Sequence, residues 1–199
     1  MSGKHCSQNH TSNYKRNEQQ AMLAAPPLDF SFKKATTMDE LMSTHAQVIR
    51  TGKVPTRTLN DRYITSSLWL SNNLLSSTSG LQRLVDKVLD NPAYLSWLDL
   101  SCNEIKEISD DVEKFTSLKI LYLHGNKIAN IADTLKLKKL HNLRSLTLHG
   151  NPIEEVPCYR SYIVHLFPQL LVLDFSPVIA AEKKKALPVG FSKIIQSGI

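Results

Sequence analysis

Few side chains here are of types that do chemistry. His124 and His149 recur in one context, the phrase Leu-His-Gly-Asn at 123–126 and 148–151. Two imidazoles held side by side can begin a metal site, but zinc takes three or four ligands. Asp99 and Asp174 would make an acid–base pair only if a fold brought them within reach of one substrate. The three cysteines, Cys6, Cys102 and Cys158, show no zinc spacing. A Gly-rich phosphate loop and a nucleophile elbow are both missing from the sequence. Trp69, Trp97 and Tyr122 make and break no bonds, but large aromatics are the residues most enriched at binding hot spots.

What positions these residues is a phrase written four times. Leu68-x-Leu70-x-x-Asn73-x-Leu75 is followed by Leu95-x-x-Leu98-x-Leu100-x-x-Asn103-x-Ile105. Then come Leu118-x-x-Leu121-x-Leu123-x-x-Asn126-x-Ile128 and Leu143-x-x-Leu146-x-Leu148-x-x-Asn151-x-Ile153. This is the leucine-rich repeat signature, which specifies a curved stack of parallel strands. The leucines point into the stack, and the residues between them point out, because strand side chains alternate between faces. The Asn turns inward at the strand end, where its amide satisfies loop backbone that no strand partner reaches. Stacked asparagines form a ladder, and an unpaired group there costs roughly 1–3 kcal/mol.

The repeat assigns the concave face. Its first column is Ser67, Trp97, Ile120, Ser145 and Val172. The central column is Trp69, Asp99, Tyr122, Thr147 and Asp174. The third is Ser71, Ser101, His124, His149 and Ser176. The two histidines share a column that otherwise offers only serines, so no metal site is expected. Asp99 and Asp174 fall too many strands apart to work together. With no catalytic, cofactor-binding or metal-binding residue expected, the chain reads as a non-enzymatic binding module. The expected partner-binding residues are Trp69, Trp97, Asp99, Ile120, Tyr122, His124, Thr147, His149 and Asp174. A stretch of the N-terminal segment folding over the aromatics is the alternative reading of that face.

The ladder asparagines are 30, 23 and 25 residues apart. The long first interval contains apolar residues at 81, 84, 85, 88 and 89, which is helical spacing on the convex side, ended by Asn91-Pro92. Leu170-x-x-Leu173-x-Phe175 matches the strand half of a fifth unit, with Val178 in the Asn position. The preceding Tyr159-Arg-x-Tyr162 and Leu166-x-Pro168 predict a C-terminal cap over 159–176, because an uncovered last repeat would expose core leucines and a strand edge. The fold class is therefore α/β: a solenoid with a curved parallel sheet inside and helices and 3-10 turns outside. Residues 65–178 form the repeat domain. Residues 1–25 read as a disordered basic tail and 179–199 as a second one. Residues 26–64 form a capping or docking segment, with Pro26-Pro27-Leu28-Asp29-Phe30-Ser31-Phe32 lying against the first repeat. Thr37 is expected to cap a short helix from Met38.

Net charge is +6, distributed as +4 over residues 1–60, −1 over 61–178 and +3 over 179–199. A nucleic-acid-binding domain concentrates basic charge on its folded face, and this one does not, so no specific nucleic acid is expected. Basic ends, with Lys183, Lys184 and Lys185 as the densest cluster, suit docking onto an acidic protein surface or simply keep the chain soluble. No apolar run is long enough to span a bilayer, so no membrane insertion is expected. Three scattered cysteines suit reduced thiols in the cytoplasm. Cys102, beside a ladder Asn, is expected in the core, and Cys6 on an exposed tail.

The 159–176 cap resembles that of the SDS22-like, cytosolic leucine-rich repeats. The order of the proline-led segment, Ser67-Leu68-Trp69-Leu70, the two Leu-His-Gly-Asn phrases, Tyr159-Arg160-x-Tyr162 and Asp174-Phe175-Ser176 resembles the family of leucine-rich repeat-containing protein fifty-one, small cytoplasmic proteins of ciliated organisms, from about residue 26 to 178. The resemblance implies an adaptor or structural subunit of a ciliary or flagellar axonemal assembly, with axonemal or microtubule-associated proteins as partners. The alternative it leaves open is a regulatory subunit of a cytosolic enzyme such as a phosphatase.

Overall fold

The computed structural model describes residues 20, 22–186 and 190. Most of the expected N-terminal tail, with Cys6, lies outside these residues, as does most of the stretch after 186. Seven short strands form one sheet in chain order. They are β1 (Leu28–Asp29), β2 (Ser67–Trp69), β3 (Trp97–Asp99), β4 (Ile120–Tyr122), β5 (Ser145–Thr147), β6 (Val172–Leu173) and β7 (Ser176–Pro177). The first six are parallel, and β7 turns back antiparallel onto β6.

Leu68, Leu98, Leu121 and Leu146 stand in register across β2 to β5 and are fully buried. With the later leucines of each phrase they form a single core that runs from Leu28 to Val178. The convex side holds α2 (Leu81–Val88) after α1 (Met38–Leu41), then 3-10 turns at Pro92–Tyr94, Val112–Lys114, Ile131–Leu137 and Pro152–Glu155. Leu81, Leu84, Val85 and Val88 supply the buried face of α2. Thr37 caps α1 by accepting from the Glu40 amide.

The asparagines make the expected ladder. Asn103 Nδ2 donates to the Leu70 and Leu100 carbonyls at 3.0 and 3.1 Å, while its Oδ1 accepts the Leu75 amide at 3.1 Å. Asn126 and Asn151 repeat this one and two coils on. Asn73, the first rung, reaches outside the repeats. Its Oδ1 accepts the Lys33 and Ala35 amides at 2.8 and 3.2 Å, and its Nδ2 donates to the Phe30 carbonyl at 3.0 Å.

That rung explains the N-terminal side. Leu28 and Phe30 are buried, and β1 pairs with β2 in the same register as the later strands. The expected disordered tail ends sooner than residue 25. Residues 22–24 are helical, and Met22 is 1% exposed, its carbonyl accepting from the Ser66 hydroxyl.

At the other end α3 (Tyr159–Leu166) covers the last coil. Tyr159, Tyr162 and Leu173 are buried as the cap requires. Leu166 is only partly buried, because Phe167, fully buried, takes the inward place. Residues 180–183, expected in a free tail, form α4, and Glu182 meets Arg160 through Nε at 2.6 Å and Nη2 at 3.2 Å. Arg160 also donates to the Leu173 and Pro177 carbonyls, and Lys183 Nζ to those of Pro168 and Leu170. Lys183 is thus part of the cap, because its ammonium satisfies carbonyls of the loop between α3 and β6.

Cys102 is exposed, not in the core. Its φ is 54°, and Asn72, Gly125 and Gly150 hold the equivalent place in their coils with φ of 57°, 67° and 68°. Each coil needs one left-handed residue before its ladder Asn, and that backbone turn throws the side chain outward.

Candidate functional site

The sheet sets its outward residues in the expected columns. Ser67, Trp97, Ile120, Ser145 and Val172 are in register, as are Trp69, Asp99, Tyr122 and Thr147. Three-residue strands at about 4.8 Å spacing bring large side chains into contact. The Trp69 and Trp97 rings lie 5.1 Å apart at 69°, and Trp97 and Tyr122 lie 6.1 Å apart at 77°. Tyr122 continues to His124 at 5.9 Å, and His124 stacks flat on His149 at 4.8 Å and 5°. Edge-to-face pairing is the preferred arrangement for such rings. The result is one aromatic track along four strands.

A further ring joins the track. Phe175 contacts Tyr122, His124 and His149 at 5.4 to 5.5 Å, and is 57% exposed. By the repeat pattern Phe175 belongs in the core. Instead Asp174 and Phe175 both take left-handed backbone conformations, with φ of 52° and 59°. The chain reverses there into β7, and the ring swings over the sheet. The reversal also removes Ser176 from the third column. The legible signal was the polar Asp174-Phe175-Ser176-Pro177 turn replacing the Asn phrase.

Other expected site residues lie elsewhere. Thr147 is fully buried, its hydroxyl 2.8 Å from His124 Nδ1, because the neighbouring imidazole covers it. Asp99 is 6% exposed, and its Oδ1 accepts from the amide and hydroxyl of Ser101 at 3.0 and 2.6 Å. Ser71 and Ser101 are buried too. Asp174 leaves the strand and accepts the Leu148 and His149 amides on Oδ1 and the Tyr159 hydroxyl on Oδ2. Ile120 is half-buried beside Trp97, as expected.

Burial pushes the His124 imidazole below its ordinary pKa, and the neighbouring His149 adds to this against the carboxylates of Asp99 and Asp174. Burial, then Asp99, raises Tyr122. His149 Nδ1 lies 3.4 Å from Asp174 Oδ1. Among the described residues no three His, Cys, Asp or Glu side chains gather as a metal would require, and no helix is long and apolar enough to cross a membrane.

The N-terminal segment reaches the edge of this face. Gln47 donates its amide to the Asp29 carbonyl and its Nε2 to the Ser31 carbonyl. Arg50 then places its guanidinium 4.6 Å above the Trp69 ring, held by the hydroxyls of Ser31 and Ser71 at 3.3 and 3.2 Å. Among the described residues no cation covers Trp97, Tyr122 or Phe175 in this way. Among the described residues, the buried side-chain polar atoms without a hydrogen-bond partner gather on this same face: Asp29 Oδ2, Trp69 Nε1, Trp97 Nε1 and His149 Nδ1.

The leucine-rich repeat family model matches residues 70–194. Leucine-rich repeat-containing protein 51 of Bos taurus is 40% identical over 173 residues, spanning 86% of this chain and 88% of that protein. Its Homo sapiens counterpart is 37% identical over the same shares. Among solved structures, the Drosophila melanogaster SNF/U2A′ complex contains a chain that superposes with a TM-score of 0.58 at 22% identity, covering 90% of this chain and 97% of that one.

Proposed function

This chain belongs to the leucine-rich repeat family, among the relatives of leucine-rich repeat-containing protein 51, and from that premise we propose that it is a non-enzymatic adaptor that grips a protein partner on its concave face. Repeat solenoids present extended concave surfaces of this kind. The observation that carries the reading is the aromatic track from Trp69 through Trp97 and Tyr122 to Phe175, fixed on a rigid sheet, with its first three rings partly exposed and Phe175 well exposed. Rigid aromatics lose little side-chain entropy on binding and are typical hot spots. A role in a ciliary or flagellar axoneme, within the cytoplasm, is supported by the family resemblance carried by the proline-led segment and the cap.

The test is co-purification from isolated axonemes after detergent and salt, with wild type and Trp97→Ala compared. The substitution should weaken partner binding by about 2 kcal/mol or more. Unchanged affinity in a folded variant would remove the site from this face. Recovery only in a soluble complex with a phosphatase would favour the regulatory-subunit reading instead.

A further inference from the structure

The concave face carries more negative charge than the chain as a whole. Asp29 stands in register with Trp69, which stands in register with Asp99, so two carboxylates flank one indole in the central column. Both are buried, at 0% and 6% exposure. Their hydrogen-bond donors are neutral: the Ser31 amide for Asp29, and the Ser101 amide and hydroxyl for Asp99. Neither forms an ion pair with any described residue, and none of them hydrogen-bonds to Asp29 Oδ2. Asp174 adds a third carboxylate at the far end. Buried carboxylates are ordinarily paired with a cation. Against these three, Arg50 is the fixed cation that the described residues place on the face, and His124 is held toward its neutral form.

Arg50 shows how this surface receives a positive charge. Its guanidinium lies over Trp69, the ring between the two carboxylates. One strand further on, Asp99 is again bordered by rings: Trp97 two residues before it on β3, and Tyr122 opposite it on β4. Here no cation of the described chain stacks. An electron-rich ring face beside a carboxylate is the arrangement that binds ammonium and guanidinium groups.

We propose that the concave face takes a basic side chain, lysine or arginine, of its protein partner, seated over Trp97 and Tyr122 with its charge toward Asp99. This rests on the concave face being the binding surface and adds the chemistry of what it reads. Complementarity is local: the chain carries +6 overall, so a polycation is repelled at long range and captured only where the carboxylates and rings converge.

The test uses the full chain and defined probes. The protein has two tryptophans, so its indole N–H signals in a nitrogen-edited NMR spectrum report the site directly. Tetralysine should shift the Trp97 signal saturably, and tetraglutamate should leave it in place. Asp99→Asn keeps an oxygen for Ser101 and should weaken tetralysine binding by about tenfold, the scale of a partly desolvated cation contact. Asp110→Asn, an exposed change away from the strands, should not. If Asp99→Asn fails to fold, Tyr122→Leu removes one ring from a half-exposed position and should weaken binding several-fold.

A shift with tetraglutamate in place of tetralysine would overturn the proposal and make Arg50 the reader of an acidic partner. Tetralysine binding unaffected by both variants would also overturn it. If no probe moves the signals while Trp97→Ala still abolishes partner binding, the cation site falls and the concave surface stands. If Trp97→Ala leaves partner binding intact, the surface reading itself fails.

Discussion

The two ends of the solenoid are closed by different physics. The N-terminal cover continues the repeat. Strand β1 joins the parallel sheet, and Asn73 treats residues 30–35 as if they were another coil. The C-terminal cover stops the repeat. Strand β7 turns antiparallel, Val178 stands where a ladder Asn would, Asp174 accepts the Leu148 and His149 amides, and Arg160 locks α3 to Glu182 and to two carbonyls. One end rests mainly on the neutral Asn73 amide and apolar burial, with Arg83–Asp39 as an exposed pair beside it, and the other mainly on charged groups. Either solution covers the core. The ionic one also seals the sheet edge against further strands.

The largest expected effect breaks the comparison at its C-terminal side. A fragment ending at Val156 loses α3, β6 and Asp174, and leaves Leu146 and Leu148 at an open edge. It should aggregate or melt without cooperativity in a calorimeter. A soluble fragment with a sharp transition would show that the ionic cover is dispensable. Next is Asn73→Ala, which strips the partners from two amides and a carbonyl of the N-terminal cover. It should cost about 3 kcal/mol in denaturant titration, more than Asn151→Ala, whose Oδ1 accepts one amide. Equal costs would mean that the first rung is no different from the last.

Arg160→Met tests the clasp. The pair with Glu182 is partly exposed, its side chains at 35% and 21%, so solvent screens it and the loss should be about 1 kcal/mol. High salt should lower wild-type stability toward that of the variant and leave Asn73→Ala displaced as before. The smallest effect concerns pH. The folded pKa of His124 lies below its unfolded value, so the unfolded chain binds the proton more readily. Stability from this group is complete above the unfolded pKa and is lost as pH falls from there through the folded one. In His124→Gln the slope of stability against pH should flatten between neutral and mildly acidic conditions. An unchanged slope would place the titrating group elsewhere.

Much of this was legible in sequence, because four leucine-and-asparagine phrases leave one solution for strand direction, face and ladder. The cap motif announced Tyr159 and Tyr162 for the same reason. What escaped was set by backbone conformation or by distant partners. Phe175 read as a core residue since apolar residues two apart on a strand point inward; two left-handed residues in succession reversed it. Cys102 read as core because its neighbours are, yet its φ turns it out. Lys183 read as a loose charge, and its role depends on carbonyls fifteen and thirteen residues away. Strand β1 is two residues long, too short to announce itself except through the rung that binds it.

The unequal intervals between rungs carry a consequence for how such a chain can change. Thirty residues, then twenty-three, then twenty-five separate the asparagines, yet the strands keep one register across the front. The pitch of the binding face is therefore indifferent to how much chain travels round the back. Lineages can lengthen, shorten or decorate the rear turns while the front stays in phase, and an engineer can do the same. A tag spliced into the exposed turn at 129–130 should leave the aromatic track where it is, whereas one residue added between Leu98 and Asn103 would throw every later side chain out of step.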